Sequence, residues 1–296
     1  MSIYRILKIL SIWAMLSPGL VYAESPRPPV HLSPTPDDGA ADKALAQGYQ
    51  AYQKGELTQA LQWYRQAAAI NPYDFSVQQD LGCLLAQTGD LEGAHQVLKR
   101  VTEQRPSASV YDALGQVQEQ LGNLEGARVS FTSSVQLEPE NAKTLWRLAR
   151  VLLRLEHTAE AKKILTRVLT LDPTDAAAHY HMGELDLRAE QPELAIHEFR
   201  QVVETHPEHV LAWNGLAIAY LRIGSIEDAE KALGRAQALD AQNIHTRANT
   251  GVLAAARNRG NEARAIWEQI LKEKPDFALA TENLRRLENT RELQQP

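Results

Sequence analysis

The sequence predicts an all-α solenoid of about seven helix–turn–helix units followed by a capping helix, and three regularities predict it. Seven alanines recur at intervals of 34, 33, 34, 34, 34 and 34 residues, at Ala60, Ala94, Ala127, Ala161, Ala195, Ala229 and Ala263. A large apolar residue follows each alanine by four positions, and proline follows six of them by twelve. The low aromatic content of 6% favours helix over strand. A period in this range indicates stacked repeats rather than one globular core.

The N-terminus has the pattern of a secretory signal. Arg5 and Lys8 precede a short apolar run over residues 9–21, and small residues lead up to Ala23. This predicts a signal peptide over residues 1–23, cut after Ala23, and export of the protein to the periplasm or out of the cell. An uncleaved anchor is the alternative, but the run is shorter than the roughly 20 apolar residues of a membrane span.

A proline-rich segment follows the predicted signal. Residues 24–40 contain five prolines and cannot form a packed core, so we expect a disordered, extended linker. A docking peptide is the alternative for this segment.

Residues 41–277 divide into seven units of nearly constant length. The units are 41–74, 75–107, 108–141, 142–175, 176–209, 210–243 and 244–277. A small residue precedes the alanine of each unit by twelve positions: Gly48, Gly82, Gly115, Ala149, Gly183, Ala217 and Gly251. We expect it and the alanine to lie on two helices that pass closely, so that a bulky side chain there would overpack the contact. The large residue is expected to fill the space towards the next helix pair.

Each unit also carries a turn signal between its two helices. Glycine occupies this place in four units, at Gly55, Gly89, Gly122 and Gly224, where it takes the left-handed conformation without strain. Glu156 and Glu190 depart from this pattern, whereas Asn258 is a tolerable substitute. Residues 278–296 are predicted to form a capping helix and tail, with Leu284 and Leu287 on an apolar stripe.

The pattern of small, small, large and proline residues resembles the tetratricopeptide repeat, a 34-residue helix–turn–helix family. The residues LGCLLAQTGDLEGAHQVLKRVTEQRP of 81–106 carry the match, and so do Trp213 and Tyr220. The resemblance implies a right-handed superhelix whose concave groove holds a peptide. In that family, positions 2, 6, 9 and 13 of each unit line the groove.

The charge of the chain is acidic overall and uneven along the units. The formal net charge of −6 argues against nucleic acid as a partner, because a basic surface supplies most of that affinity. Residues 142–175 have seven basic and four acidic residues, a net charge of +3. The units on either side have net charges of −4, from one basic and five acidic residues, and −5, from two basic and seven acidic residues.

The basic unit carries the candidate binding site. Its first helix places Lys143, Arg147, Arg150 and Arg154 on one face, at the groove positions that the resemblance implies. Arg188 and Arg222 repeat the position of Arg154 in the next two units, and Trp146, Tyr180 and Asn214 share position 5. We expect these nine residues to bind an acidic segment of a partner, since arginine grips carboxylates bidentately. The alternative is a solvated face whose cations are favoured by the helix dipole alone.

A more specific family comparison is incomplete. Some tetratricopeptide domains hold a C-terminal carboxylate with lysine, asparagine and arginine from three units. Lys143 and Arg147 match the third of those units, but the earlier positions hold Gln79, Cys83 and Ala113. A C-terminal tail is therefore not implied as the bound segment.

No catalytic, cofactor or metal site is predicted. His179 and His181 are two residues apart on a helix, so they point to different sides and cannot chelate as a pair four residues apart would. The glycines follow the repeat rather than a phosphate-binding loop. Cys83 is expected to be a small half-buried side chain.

These observations together predict a non-enzymatic scaffold in the bacterial cell envelope that binds a protein or peptide partner and is a monomer or a weak oligomer. Two alternatives stay open. One is a homo-oligomeric structural protein, and the other is a regulatory subunit of a separately encoded envelope enzyme or secretion system.

Overall fold

The computed structural model describes residues 38–292, which form helices joined by short turns, without a strand. The predicted signal peptide, residues 24–37 of the predicted linker and residues 293–296 lie outside the described residues. Fifteen helices run over the described part of the chain. They are α1 (Asp38–Gln53), α2 (Leu57–Ile70), α3 (Phe75–Gln87), α4 (Leu91–Gln104), α5 (Ala108–Gln120), α6 (Leu124–Leu137), α7 (Ala142–Arg154), α8 (Thr158–Leu171), α9 (Ala176–Arg188), α10 (Pro192–Thr205), α11 (Val210–Arg222), α12 (Ile226–Leu239), α13 (Ile244–Ala256), α14 (Gly260–Glu273) and α15 (Ala278–Glu292).

The helices α1 to α14 form seven consecutive pairs of helices. Each pair corresponds to one predicted unit, and the units are hereafter called repeats 1 to 7. The odd-numbered helices from α3 to α13 begin at the residues that open the predicted units, and α15 begins at Ala278. The first helix differs from the expectation, because α1 begins at Asp38 within the predicted linker. Ala40 and Ala41 are strong helix formers and extend the helix in the N-terminal direction. The prediction of an all-α solenoid is confirmed.

The recurring alanines form the most buried positions of the array. All seven are 0% exposed, and the large residues four positions later are at most 3% exposed. In the five repeats whose small residue is glycine, the atoms nearest to a Cβ added there belong to this large side chain or lie beside it. A Cβ added to Gly115 would lie 2.7 Å from the ring of Phe131 in the same repeat. The large side chain therefore packs into a gap that glycine leaves in its own helix pair.

The turn between the two helices of each repeat uses one left-handed residue. Gly55, Gly89, Gly122 and Gly224 have φ between 77° and 89°. Glu156, Glu190 and Asn258 hold the same place with φ of 59°, 57° and 62°. The turn geometry is thus kept even where the sequence supplies a residue with a Cβ, which is strained in this conformation.

The chain divides into two compact parts, described here separately. The N-terminal half extends to Ile164 and the C-terminal half begins at Leu165, so the division falls within α8. In each half, a helix packs mainly on the helices before and after it in sequence. The first helices are fixed at their N-termini by side chains that accept backbone N–H groups, as Asp74 does from Ser76 and Val77.

The last helix covers the end of the C-terminal half. Ala280 and Asn283 of α15 are buried, and Leu284 and Leu287 pack against the same apolar cluster. Cys83 is half-buried on α3, as expected. Among the helices of residues 38–292, none is both long and apolar enough to cross a membrane.

Candidate functional site: a basic helix face and its contacts between repeats

The candidate site is built on α7, which carries Lys143, Arg147, Arg150 and Arg154 between its first and last turns. We call these four residues the α7 basic face. The helix is positioned by its apolar side, where residues such as Leu145 and Leu148 are buried. Asn141 caps the N-terminus by accepting the N–H of Thr144. The spacing of four, three and four residues therefore keeps all four cations on the opposite side of a fixed helix.

Arg147 lies in a largely buried ion pair with Asp112 of α5. Its Nη1 donates to Asp112 Oδ2 over 2.7 Å, and both side chains are less than 15% exposed. Asp112 also accepts from Thr144 Oγ1 at 2.9 Å and from Gln116 Nε2 at 2.9 Å. A buried carboxylate needs this many donors, because desolvation of the charge is unfavourable. Arg147 therefore holds repeats 3 and 4 together.

Glu119 of α5 connects the other two arginines of the α7 basic face. Arg150 donates to it bidentately, from Nε to Oε1 at 3.1 Å and from Nη2 to Oε2 at 2.7 Å. Arg154 Nη1 donates to the same Oε1 at 3.0 Å. The Glu119 side chain is 11% exposed, whereas Arg150 and Arg154 are 36% and 37% exposed. One carboxylate thus orients two guanidinium groups that both reach solvent.

The three arginines of the α7 basic face outnumber the two carboxylates that they contact. Arg147 pairs with Asp112, whereas Arg150 and Arg154 share Glu119. Lys143 is exposed, and Trp146 is half-buried one turn before Arg150. A face of this kind can bind an anion through partly exposed guanidinium groups whose geometry is already set.

The C-terminal half repeats the Asp112 arrangement with neutral side chains. Asn214 of α11 donates from Nδ2 to Thr246 Oγ1 at 2.8 Å and to the Val210 carbonyl at 3.1 Å. Its Oδ1 accepts from Asn249 Nδ2 at 3.1 Å. Asn214 is only 5% exposed. The amide is thus used between repeats 6 and 7, and the expectation that Asn214 lies beside a bound segment stays a prediction.

Both networks join the same repeat positions. Position 5 of one first helix contacts positions 3 and 6 of the next first helix, as Asp112 contacts Thr144 and Arg147. A second contact joins position 13 to position 12 of the preceding repeat. The pairs are Gln87 Nε2 with Tyr52 Oη (3.3 Å), Arg154 Nη1 with Glu119 Oε1 (3.0 Å) and Arg222 Nη1 with the Leu187 carbonyl (2.6 Å).

Arg222 is held differently from Arg154 because its acceptor is a backbone group. Its contact to the Leu187 carbonyl satisfies the C-terminal end of α9, where a cation is also favoured by the helix dipole. Burial lowers the pKa of Arg222, and the charge of Glu190 opposes this shift. Arg188 is exposed in the last turn of α9. The predicted ladder of Arg154, Arg188 and Arg222 stays a prediction.

Tyr180 lies in a cluster of rings that the sequence did not reveal. Its Oη donates to Glu184 Oε1 at 3.0 Å, and His181 Nδ1 lies 2.9 Å from Glu184 Oε2. The Tyr180 ring is 5.2 Å from that of His209 and 5.9 Å from that of Phe199. Burial, followed by the charge of Glu184, raises the pKa of Tyr180, so its hydroxyl stays a donor.

His209 combines a packing role with a capping role. Its Nδ1 accepts the N–H of Ala212 at 3.0 Å and so caps α11. Burial lowers the pKa of His209, which favours the neutral ring that can accept this hydrogen bond. His179 and His181 point to different sides, as expected, since His179 contacts Glu198 and the Pro173 carbonyl.

The structure shows where each predicted site residue lies, and the binding role of these residues stays a prediction. Arg147, Arg150 and Arg154 come together around Asp112 and Glu119, two carboxylates that sequence reasoning counted but did not pair. The pairs are separated by 31 and 35 residues, close to one repeat, so this spacing was a usable signal. Among residues 38–292, no group of three or more histidine, cysteine, aspartate or glutamate side chains is arranged to hold a metal ion.

Two protein-family models, both described as "Tetratricopeptide repeat", match this chain. One matches residues 51–117 and 119–185, and the other matches residues 182–244. The Caenorhabditis elegans protein named "Tetratricopeptide repeat-containing protein trd-1" is 25% identical over 186 residues, which are 62% of this chain and 23% of that protein. The chain spans less than half the length of the curated relatives it matches first.

Solved structures share the fold at low sequence identity. The C-terminal part of a TPR repeat-containing protein from Cytophaga hutchinsonii superposes with a TM-score of 0.63 at 12% identity, covering 81% of this chain and 99% of that one. YrrB, described as a TPR protein with an unusual peptide-binding site, has a TM-score of 0.52 at 19% identity, covering 64% and 97%. At such identities, the similarity shows a common fold.

Proposed function

Since this chain belongs to the tetratricopeptide repeat family, a class of protein–protein interaction scaffolds, we propose that it is a non-enzymatic adaptor of the bacterial cell envelope that binds an acidic segment of a partner protein. The peptide-binding site ascribed to YrrB supports a segment as the bound form. Nothing in the proposal requires a cofactor.

The α7 basic face is the observation that carries this proposal. Glu119 fixes Arg150 and Arg154, so less side-chain entropy is lost when these groups contact a partner. Both arginine side chains are more than one third exposed, and each keeps N–H groups that Glu119 does not occupy. Carboxylates of the partner segment would share these donors, with Lys143 adding charge and Trp146 adding contact area.

The envelope location rests on the N-terminal signal pattern. Arg5, Lys8 and the apolar run before Ala23 support export, and cleavage would leave Glu24 as the first residue. Mass spectrometry of the protein isolated from its own cells tests this directly. A mature N-terminus at Glu24 in the periplasmic fraction is the expected result, and an intact Met1 in the cytoplasm would contradict it.

Capture of the partner tests the binding surface. The variant E119Q/R150Q/R154Q removes both partly exposed arginines without leaving Glu119 as an unpaired buried carboxylate. The control E125Q/R235Q/R259Q makes the same chemical changes at exposed positions outside the α7 basic face. We expect the control to crosslink the same envelope protein as the unaltered chain and the first variant to lose it. Equal capture by both variants would refute the role of α7.

Self-association is a second candidate function, favoured by apolar side chains on the second helix of repeat 3. Val129 is 56% exposed and Leu137 is 54% exposed, and both lie on α6. Light scattering separates the two candidates, because the adaptor is expected to be monomeric without its partner. A stable oligomer that the double variant V129S/L137S dissociates would favour self-association.

A further inference from the structure

Glu119 already occupies the place that a partner carboxylate would take on the α7 basic face. Arg150 grips it with the two-bond geometry that arginine uses for carboxylate ligands, and Arg154 adds a third bond. The Glu119 side chain is 11% exposed, so these arginines largely enclose it. An incoming carboxylate therefore meets guanidinium groups of which several N–H donors already contact Glu119.

We propose that Glu119 sets the specificity of the α7 basic face, so that only segments with several closely spaced carboxylates bind it well. This inference rests on the proposed function and names the class of ligand more narrowly. A tethered carboxylate competes at an effective concentration on the order of millimolar or higher, which a single free carboxylate does not overcome. A cluster of carboxylates can contact Arg150, Arg154 and Lys143 at once.

Asp112 has a different role from Glu119. Its carboxylate is held by Arg147, Thr144 and Gln116, and Arg147 is only 14% exposed. It therefore stabilises the contact between repeats 3 and 4 instead of meeting solvent. Glu119 differs because both of its arginine partners are partly exposed, so a ligand carboxylate can compete with Glu119 for their N–H groups without exposing a buried cation.

Calorimetric titration with synthetic peptides tests the inference on the full chain. The probes are neutral-capped peptides of equal length that contain one glutamate or four adjacent glutamates. We expect the unaltered protein to prefer the four-glutamate peptide, and E119Q to bind the one-glutamate peptide about tenfold more tightly than the unaltered protein does, since the internal competitor is gone. E125Q is the matched control, with the same change at an exposed glutamate of the same repeat.

Two outcomes overturn the inference without touching the adaptor proposal. One is an E119Q protein that binds the one-glutamate peptide no better than E125Q does. The other is an unaltered protein that binds both peptides equally. The adaptor proposal itself fails separately, when E119Q/R150Q/R154Q still crosslinks the envelope partner at α7. Thermal unfolding of each variant is measured in parallel, so that a loss of binding from unfolding is recognised.

Discussion

Asn283 of α15 allows the strongest test of how the repeats contact each other. It holds position 6, the position of Arg147 and Asn249 in their repeats, but position 5 of the preceding repeat is Ala248. The Asn283 side chain is buried, and within the described residues neither its Oδ1 nor its Nδ2 has a hydrogen-bond partner. A buried amide in this state destabilises a fold by about 1–3 kcal/mol.

Asn283→Leu removes both polar atoms and is close to isosteric, so we expect it to raise the free energy of unfolding by about 1–2 kcal/mol. Urea denaturation followed by circular dichroism measures this change. Asn249→Leu is the matched control, because it is the same substitution at the same repeat position. It strands Asn214 Oδ1 in a buried site and should lower the free energy of unfolding by about 1–3 kcal/mol.

The test depends on the opposite signs of the two changes in the free energy of unfolding. If both substitutions stabilise the protein, apolar character at position 6 matters and the contact between Asn214 and Asn249 does not. If both destabilise it, Asn283 has a favourable contact in solution, and its burial without a partner is not a liability. Hydrogen exchange of α15 would locate the change, since neighbouring repeats unfold partly independently.

Three further predictions concern single residues. Glu156→Gly should stabilise the fold by about 1 kcal/mol because φ there is 59°, whereas Gly122→Ala, with φ of 77°, should destabilise it, as thermal melts will show. As the pH falls from 7.5 to 5.5, the free energy of unfolding should decrease more for the unaltered chain than for His209→Asn. Burial lowers the pKa of His209 from 6.5, so the folded state resists protonation and loses stability relative to the unfolded state as the pH falls through the ordinary pKa. Parallel plots of unfolding free energy against pH for the two proteins would contradict this. Gly115→Val should destabilise by about 1–3 kcal/mol through overpacking of Phe131, and Phe131→Leu in the same chain should recover part of the loss in urea denaturation.

The helices could be predicted from the sequence because the repeat makes each signal appear several times. A single glycine or proline is weak, but Gly55, Gly89, Gly122 and Gly224 at one place in four repeats identify the turn. The departures at Glu156 and Glu190 adopt the same conformation because the surrounding repeat pattern determines the local backbone. The contact between Gly115 and the Phe131 ring could not be predicted, because periodicity fixes which face a residue lies on but not which atoms it meets.

The candidate site could be predicted only in part, for a related reason. The spacing of Arg147, Arg150 and Arg154 predicts that they share a helix face. In the structure Arg147 contacts Asp112, whereas Arg150 and Arg154 both contact Glu119. Which acidic groups they meet depends on the offset between neighbouring repeats. Asp112 lies 35 residues before Arg147, and Glu119 lies 35 residues before Arg154. A contact with the same separation joins Arg222 to the Leu187 carbonyl. In other sequences of this repeat family, acidic and basic residues that are 35 positions apart are candidates for such contacts between repeats.

Site-specific photo-crosslinking tests most directly whether a partner lies on the α7 basic face. A photoreactive amino acid at Gln120, exposed at the end of α5 beside Glu119, samples this face, and the same amino acid at Gln136, exposed on α6, samples the second helix of the same repeat. We expect one dominant crosslink from position 120 to a partner segment rich in aspartate and glutamate, and little crosslinking from position 136. Crosslinking from position 136 alone, or from position 120 to a segment without acidic residues, would contradict it.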